Sequence, residues 1–240
     1  MPLPSIATPT YELELPSTGK TIQYRPFLVK EEKLLVLALE SEDTKNITTA
    51  IKSVLKACIK TKGIKVETLP TFDIEFLFLN IRAKSVGEEV EVNITAPDDG
   101  VTLIPVVIDI DAVEVVFPEG HTNKIRINDD LMMEMKYPSL DEFIKNNFEI
   151  DSTQVGIDQS FQLIASCINT IYSEDDVWDT SDVSKKEVVE FLEQMNSVQF
   201  KEIEKFFTTM PKLTHTIKVK NPKTKVESEV VLEGLNSFFA

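Results

Sequence analysis

The stretch Thr71-Phe-Asp-Ile-Glu-Phe-Leu-Phe-Leu-Asn-Ile-Arg-Ala83 decides the fold. Phe72, Ile74, Phe76, Leu77, Phe78, Leu79 and Ile81 leave almost no polar face at helical period, so a helix here has to be buried on most sides. It predicts the centre of the core. On its amino-terminal side, Tyr11 to Leu15 and Thr21 to Arg25 alternate around Pro16-Ser-Thr-Gly19-Lys and predict a β-hairpin, which Pro26 ends. Two amphipathic helices follow, Val29 to Ser41 and Asn46 to Lys60, and Gly63 closes that region.

On the carboxy-terminal side the texture turns to strands. Glu89 to Thr95 alternates, Pro97-Asp-Asp-Gly100 is a turn, and Val101 to Ile110 is β-rich though interrupted by Pro105. Val113 to Phe117, Lys124 to Ile127 and Leu131 to Lys136 add short strands. Helices are predicted from Ser139-Leu-Asp-Glu142 through Ile144, over Asp158 to Tyr172, over Ser184 to Met195 and over Val198 to Met210, the first and third opened by capping boxes. Leu213 to Lys220 and Lys225 to Leu232 form a last hairpin around Asn221-Pro-Lys-Thr, followed by the apolar tail Gly234 to Phe239. Strands bracket helices here instead of alternating with them, which argues for an α+β fold: a mainly helical core flanked by N- and C-terminal β-hairpins, with an inserted small antiparallel β module. The expected division is 1–86, 87–138 and 139–240, the first and last segments sharing one core.

Composition narrows the function. The chain has 240 residues and a net charge of −15, from 40 acidic against 25 basic side chains. That balance opposes general binding to a phosphate backbone. No apolar run reaches the roughly 20 residues a membrane span needs, and the amino terminus shows no export signal, so a reduced intracellular protein is expected. Asn46-Ile-Thr48 and Asn93-Ile-Thr95 match glycosylation acceptors only by chance in that setting. Cys58 and Cys167 are too few for a disulfide framework and read as small buried hydrophobes.

Catalytic signatures are sparse. Phosphate-cradling glycine motifs, a nucleophile elbow and zinc-protease helices are missing from a chain with 7 glycines. His121, in Glu119-Gly-His-Thr-Asn-Lys124, and His215 read as hydrogen-bonded loop or strand residues. The rival reading makes the chain a metal-dependent hydrolase using His121 with Asp98 or Asp99. The acidic run Glu174, Asp175, Asp176, Asp179 and Asp182 lacks the order and glycine of a calcium loop and reads as a solvated connector. No cofactor or metal is expected.

Two features suggest contacts with partners. Trp178, the single tryptophan, sits in that acidic run, and Lys212, Lys218, Lys220, Lys223 and Lys225 gather on the last hairpin of an acidic chain. Edge lysines also protect strands from aggregation.

Seven ordered blocks carry a resemblance: Pro2 to Leu13, Tyr24-Arg-Pro-Phe-Leu-Val-Lys-Glu-Glu-Lys33, Arg82-Ala-Lys-Ser-Val-Gly-Glu88, Glu119-Gly-His-Thr-Asn-Lys124, Met135-Lys-Tyr-Pro-Ser139, Met210-Pro-Lys-Leu213 and Val231-Leu-Glu-Gly-Leu-Asn-Ser-Phe-Phe239. Together they resemble the baseplate hub and hub-assembly proteins of T4-like contractile-tailed bacteriophages. The resemblance implies a non-catalytic structural or chaperoning role, in the host cytoplasm during assembly and in the tail baseplate of the virion. Its partners would be other hub or tape-measure proteins or a second copy, with no nucleic acid and no membrane. The contact candidates are Trp178, Lys218, Lys220 and Lys223, with Arg25 and Phe27 in the amino-terminal block. Some relatives place cysteines of a small zinc knuckle around Thr95-Ala-Pro-Asp-Asp-Gly100. Here Ala96 stands in that turn without a nearby thiol, so packing and turn chemistry must organise it.

Overall fold

The computed structural model describes residues 6–41, 43–139 and 157–238. Its chain order is β1 (Tyr11–Glu14), β2 (Thr21–Tyr24), α1 (Val29–Glu40), α2 (Thr44–Cys58), α3 (Thr71–Val86), β3 (Glu89–Thr95), β4 (Leu103–Asp109), β5 (Glu114–Val116), β6 (Lys124–Arg126), β7 (Met132–Met135), α4 (Ile157–Ser166), β8 (Ile168–Tyr172), β9 (Val177–Asp179), α5 (Lys185–Glu193), α6 (Ser197–Thr208), β10 (Lys212–Lys220) and β11 (Glu227–Glu233). The chain divides into two compact units: Met1–Val66 with Phe72–Val116 and Lys212–Ala240, and Glu67–Thr71 with Phe117–Pro211.

In the first unit α3 is buried as its sequence requires, with Phe72, Asp73, Ile74, Leu77, Phe78, Leu79, Ile81 and Ala83 all inside. Leu79 and Ala83 join a cluster made mostly by strands: Val90, Val92 and Ile94 of β3, Ile104 and Ile108 of β4, Leu213 and Val219 of β10, and Leu232 of β11, with Phe238 from the tail. β3 shows strict alternation of exposed and buried positions, and its inward residues face those of β4 in the pairs Val90↔Ile108, Val92↔Val106 and Ile94↔Ile104. Pro105 fits inside β4 because that strand has a ladder partner on one side only. Beside α3, β2 meets the end of α2: the Arg25 amide donates to the Cys58 carbonyl at 3.0 Å and the Lys60 amide to the Gln23 carbonyl at 2.7 Å.

The second unit has its own core. The sheet β6-β7-β8-β9 supplies Ile125, Met133, Ile168 and Ile171, and the helices supply Ile164 and Ala165 of α4, Val188 and Leu192 of α5, and Ile203 and Phe206 of α6. Both later helices start on capping boxes, Ser184 with Glu187 and Asn196 with Gln199, each satisfying helix-start amides that would otherwise lack partners.

Three expectations are corrected. The core is not mainly helical, since the chain is 36% helix and 29% strand and both clusters rest on sheets. The strands of residues 87–138 do not form one inserted module: β3 pairs with β4, β5 with β10, and β6 with β7, which also pairs with β8. The physical reason is that each strand pairs wherever its apolar side meets a matching face, and those faces come from segments far along the chain. The helix expected over Asp158 to Tyr172 ends at Ser166, where β-branched and aromatic Ile168, Thr170, Ile171 and Tyr172 become strand β8 between β7 and β9. The helix expected from Ser139 lies outside the described residues.

A polar clamp ties the β3–β4 turn to the β10–β11 turn. The side-chain Nδ2 of Asn221, a residue only 1% exposed, donates to Asp98 Oδ1 at 3.0 Å and Asp99 Oδ2 at 3.0 Å. Asn221 Oδ1 in turn accepts from the Lys223 amide at 2.8 Å, and the Thr224 hydroxyl donates to Asp98. Asp99 Oδ1 accepts the amides of Val101 and Thr102 at 3.0 and 2.9 Å, and Gly100 takes φ +68 to close the turn. These contacts organise the turn around Ala96. Asn221→Ala is expected to lower the unfolding free energy by about 1–3 kcal/mol, measured by urea denaturation, whereas Thr61→Ala, which removes an exposed hydroxyl after α2 that accepts the Gln23 amide, should cost less than half as much.

Candidate functional site

The residues singled out in the sequence fall into three places, and the structure commits several of them to the fold. Arg25 is buried, and its guanidinium donates to Glu31 Oε1 at 3.0 Å, to the Pro26 carbonyl at 2.8 Å and toward Cys58 Sγ at 3.8 Å. Glu31 also accepts the Leu28 amide at 2.7 Å at the start of α1. Burial pushes the Glu31 carboxyl upward, but the hydrogen bonds from Arg25 and Leu28 overcome it and hold the group below its ordinary value. Burial dominates at Cys58, whose thiol is pushed up to about 11 and is unreactive at neutral pH. Phe27 is half-buried, and its amide donates to Ser85 Oγ at 2.9 Å. The signal for the Arg25–Glu31 pair lay in the sequence as a Glu three residues past the helix-capping position.

The carboxy-terminal hairpin carries a cross-strand charge ladder. Lys212, Lys218 and Lys220 of β10 meet Glu233, Glu229 and Glu227 of β11 at 3.0, 3.5 and 2.9 Å. All six side chains are at least half exposed, so each pair contributes little to stability and its charges remain available to a partner. Lys223 and Lys225 lie at the turn, where Lys225 adopts φ 67, a left-handed conformation uncommon for lysine, and donates from Nζ to the Pro222 carbonyl at 2.7 Å.

In the second unit, Trp178 belongs to strand β9, not to a loop. It stands opposite Ile171 and is 43% exposed. Beside it Asp179 caps a turn, its Oδ1 accepting the Ser181 amide at 2.8 Å, which holds its carboxyl below the ordinary range.

His121 lies in this second unit and the Asp98–Asp99 pair in the first. Each is satisfied inside its own unit. His121 Nδ1 bonds Thr209 Oγ1 and Nε2 bonds the Tyr137 hydroxyl, both at 2.9 Å, while the ring stacks on Phe206 at 5.3 Å. Burial pushes its pKa down. Hydrogen bonds from Thr224 and Asn221 hold Asp98 low, and those from Thr102 hold Asp99 low. His215 Nδ1 reaches the Ala112 carbonyl at 3.2 Å. Among the described residues, no three His, Cys, Asp or Glu side chains gather where they could hold a metal ion, and no helix is long and apolar enough to cross a membrane.

This geometry defines a two-core α+β protein whose singled-out polar groups knit the fold together and whose exposed charged and aromatic groups lie on sheet edges. The comparison with protein families gives it a place: the family described as T4 bacteriophage base plate protein matches residues 8–240, and the chain belongs to that family. No curated protein and no solved structure matches the chain.

Two outcomes test the assignments of Arg25 and His121. Glu31→Ala, which strands a buried guanidinium, should cost about 3–5 kcal/mol, and Arg25→Met with Glu31→Leu should recover most of the loss in chemical denaturation. A histidine whose folded pKa is depressed contributes stability that is present above its unfolded value, about 6.5, and is lost as pH falls through the folded value. Between about pH 7 and pH 5 the wild type should therefore lose stability more steeply than His121→Phe, as read from unfolding midpoints across that range.

Proposed function

We propose that this base plate protein is a hub component or hub-assembly factor that acts through protein–protein contacts and catalyses no reaction. The observation that carries the reading is family membership over residues 8–240. Its surfaces support it. The glutamates of the ladder lie on β11, the outer strand of the order β11-β10-β5, its lysines lie beside them on β10, and Trp178 lies on β9, the outer strand of the order β6-β7-β8-β9. Outer strands with exposed side chains suit pairing with extended segments of other hub or tape-measure proteins. The place of action under this reading is the host cytoplasm during assembly, with retention in the tail baseplate as the mark of a hub component.

Mass spectrometry of purified particles beside infected-cell lysate checks the reading. A fixed copy number per particle identifies a hub component, abundance in lysate alone identifies an assembly factor, and failure to copurify with any baseplate protein in either fraction overturns both. Lys218→Glu, Lys220→Glu and Lys223→Glu together should reduce that copurification about tenfold while shifting the unfolding midpoint little. Unchanged copurification would take the hairpin out of the contact surface.

A further inference from the structure

The apolar floor of the second core does not stop at the sheet's edge. Ladder pairing sets Ile125, Met133, Ile171 and Trp178 in one row across β6, β7, β8 and β9. Along that row burial runs from 5% and 0% exposure at Ile125 and Met133 through 9% at Ile171 to 43% at Trp178. The last member is as apolar in character as the others, yet among the described residues no further strand pairs beyond it. Leu131, Ile171, Trp178, Val183, Val188 and Phe191 line an open cavity of about 290 Å³ there, floored by the sheet and walled by α5. That volume is at the small end of ligand sites and suits one or two aliphatic side chains.

The backbone beside it is available as well. The Ser173 amide donates to the Asp176 carbonyl at 2.8 Å and the Thr180 amide to the Asn169 carbonyl at 3.1 Å, on either side of the Ile171↔Trp178 pair. Antiparallel alternation then spends the backbone groups of Trp178 on β8 and turns those of Val177 and Asp179 to the free side of β9. Along β9 and its flanking turns acidic side chains predominate, with Lys136 near Asp179 and Lys185 and Lys186 at the start of α5 as the basic neighbours. From Ser173 to Ser184 there are Glu174, Asp175, Asp176, Asp179 and Asp182 and no lysine or arginine, and Glu187 stands on the cavity wall. Pairing of two β9 edges from two copies would set these carboxylates against each other, which disfavours a second copy as occupant.

Resting on the reading of this chain as a baseplate contact protein, we infer that β9 and the Trp178 cavity capture an extended, lysine- or arginine-rich segment of another protein, which adds as a strand beside Val177–Asp179 and seats an apolar side chain in the cavity. Main-chain bonds would give the segment its direction, the cavity would select an apolar residue, and the carboxylates would select its basic neighbours.

Because Trp178 is the single tryptophan, its emission reports occupancy directly in the full-length protein. The probe is a short peptide of alternating lysine and leucine, compared with lysine–serine and glutamate–leucine peptides of the same length. The expected result is a saturable blue shift with the lysine–leucine peptide, at an affinity about tenfold or more above either control, weakening as salt rises. Val183→Arg and the pair Asp176→Lys with Asp179→Lys should each reduce it about tenfold, with far-UV circular dichroism unchanged. Equal binding of the lysine–serine peptide, equal binding of the glutamate–leucine peptide, or an unshifted emission overturns the inference. So does burial of Trp178 by self-association in sedimentation without peptide. A protein that copurifies with the baseplate and yet fails this titration loses the Trp178 site only, so the two readings fail separately.

Discussion

A helix that is apolar around its circumference must be covered from every side, and α3 imposes that demand on the first unit. Its cover is drawn from three distant parts of the chain. Asp73, fully buried near the start of α3, receives the backbone amide and hydroxyl of Ser17 from the β1–β2 turn, at 3.0 Å for the amide. Leu79 and Ala83 pack with β3 and β4, which follow directly, and with β10 and β11, which arrive at the other end of the sequence. Burial raises the pKa of Asp73 although both Ser17 donors oppose it, so the capture of the amino-terminal turn is made against a desolvation penalty. The hydrophobic gain of enclosing α3 is what holds that polar contact in place.

Much of this was legible from the sequence. The amphipathic spacing of α1 and α2, the all-round apolarity of α3, both terminal hairpins and the Ser184–Glu187 capping box depend on residues within one or two turns of each other, and the structure has them where the pattern put them. What the sequence did not disclose was partnership. Nothing local in Glu114–Val116 points to β10, and nothing in Lys124–Arg126 points to the sheet that β7 and β8 build. The same blindness made the core look helical, because strands of three or four residues carry too few alternations to outweigh long helical periods. It also merged α4 and β8, where only the run of β-branched residues after Cys167 marks the change.

The polar residues tell a parallel story. Arg25 and His121 drew attention as residue types that act on partners and substrates, and both are spent inside the protein. Asp98 and Asp99 are answered by an asparagine 123 and 122 positions away. No spacing rule anticipates that, because the distance is closed by the fold and not by the chain. By contrast, Trp178 and the lysines of β10 are exposed, an outcome that their acidic and hairpin settings allowed without requiring it.

The ladder between β5 and β10 carries one more implication. Lys212 pairs directly with Val116, so the residues on either side of the long excursion 117–211 meet on one rung of the β5–β10 ladder. Closing so long an excursion costs conformational entropy that grows only with the logarithm of its length. Added or lost residues in the surface loops of that excursion therefore change the cost of bringing Val116 and Lys212 together only slightly, and the register of β5 on β10 tolerates them.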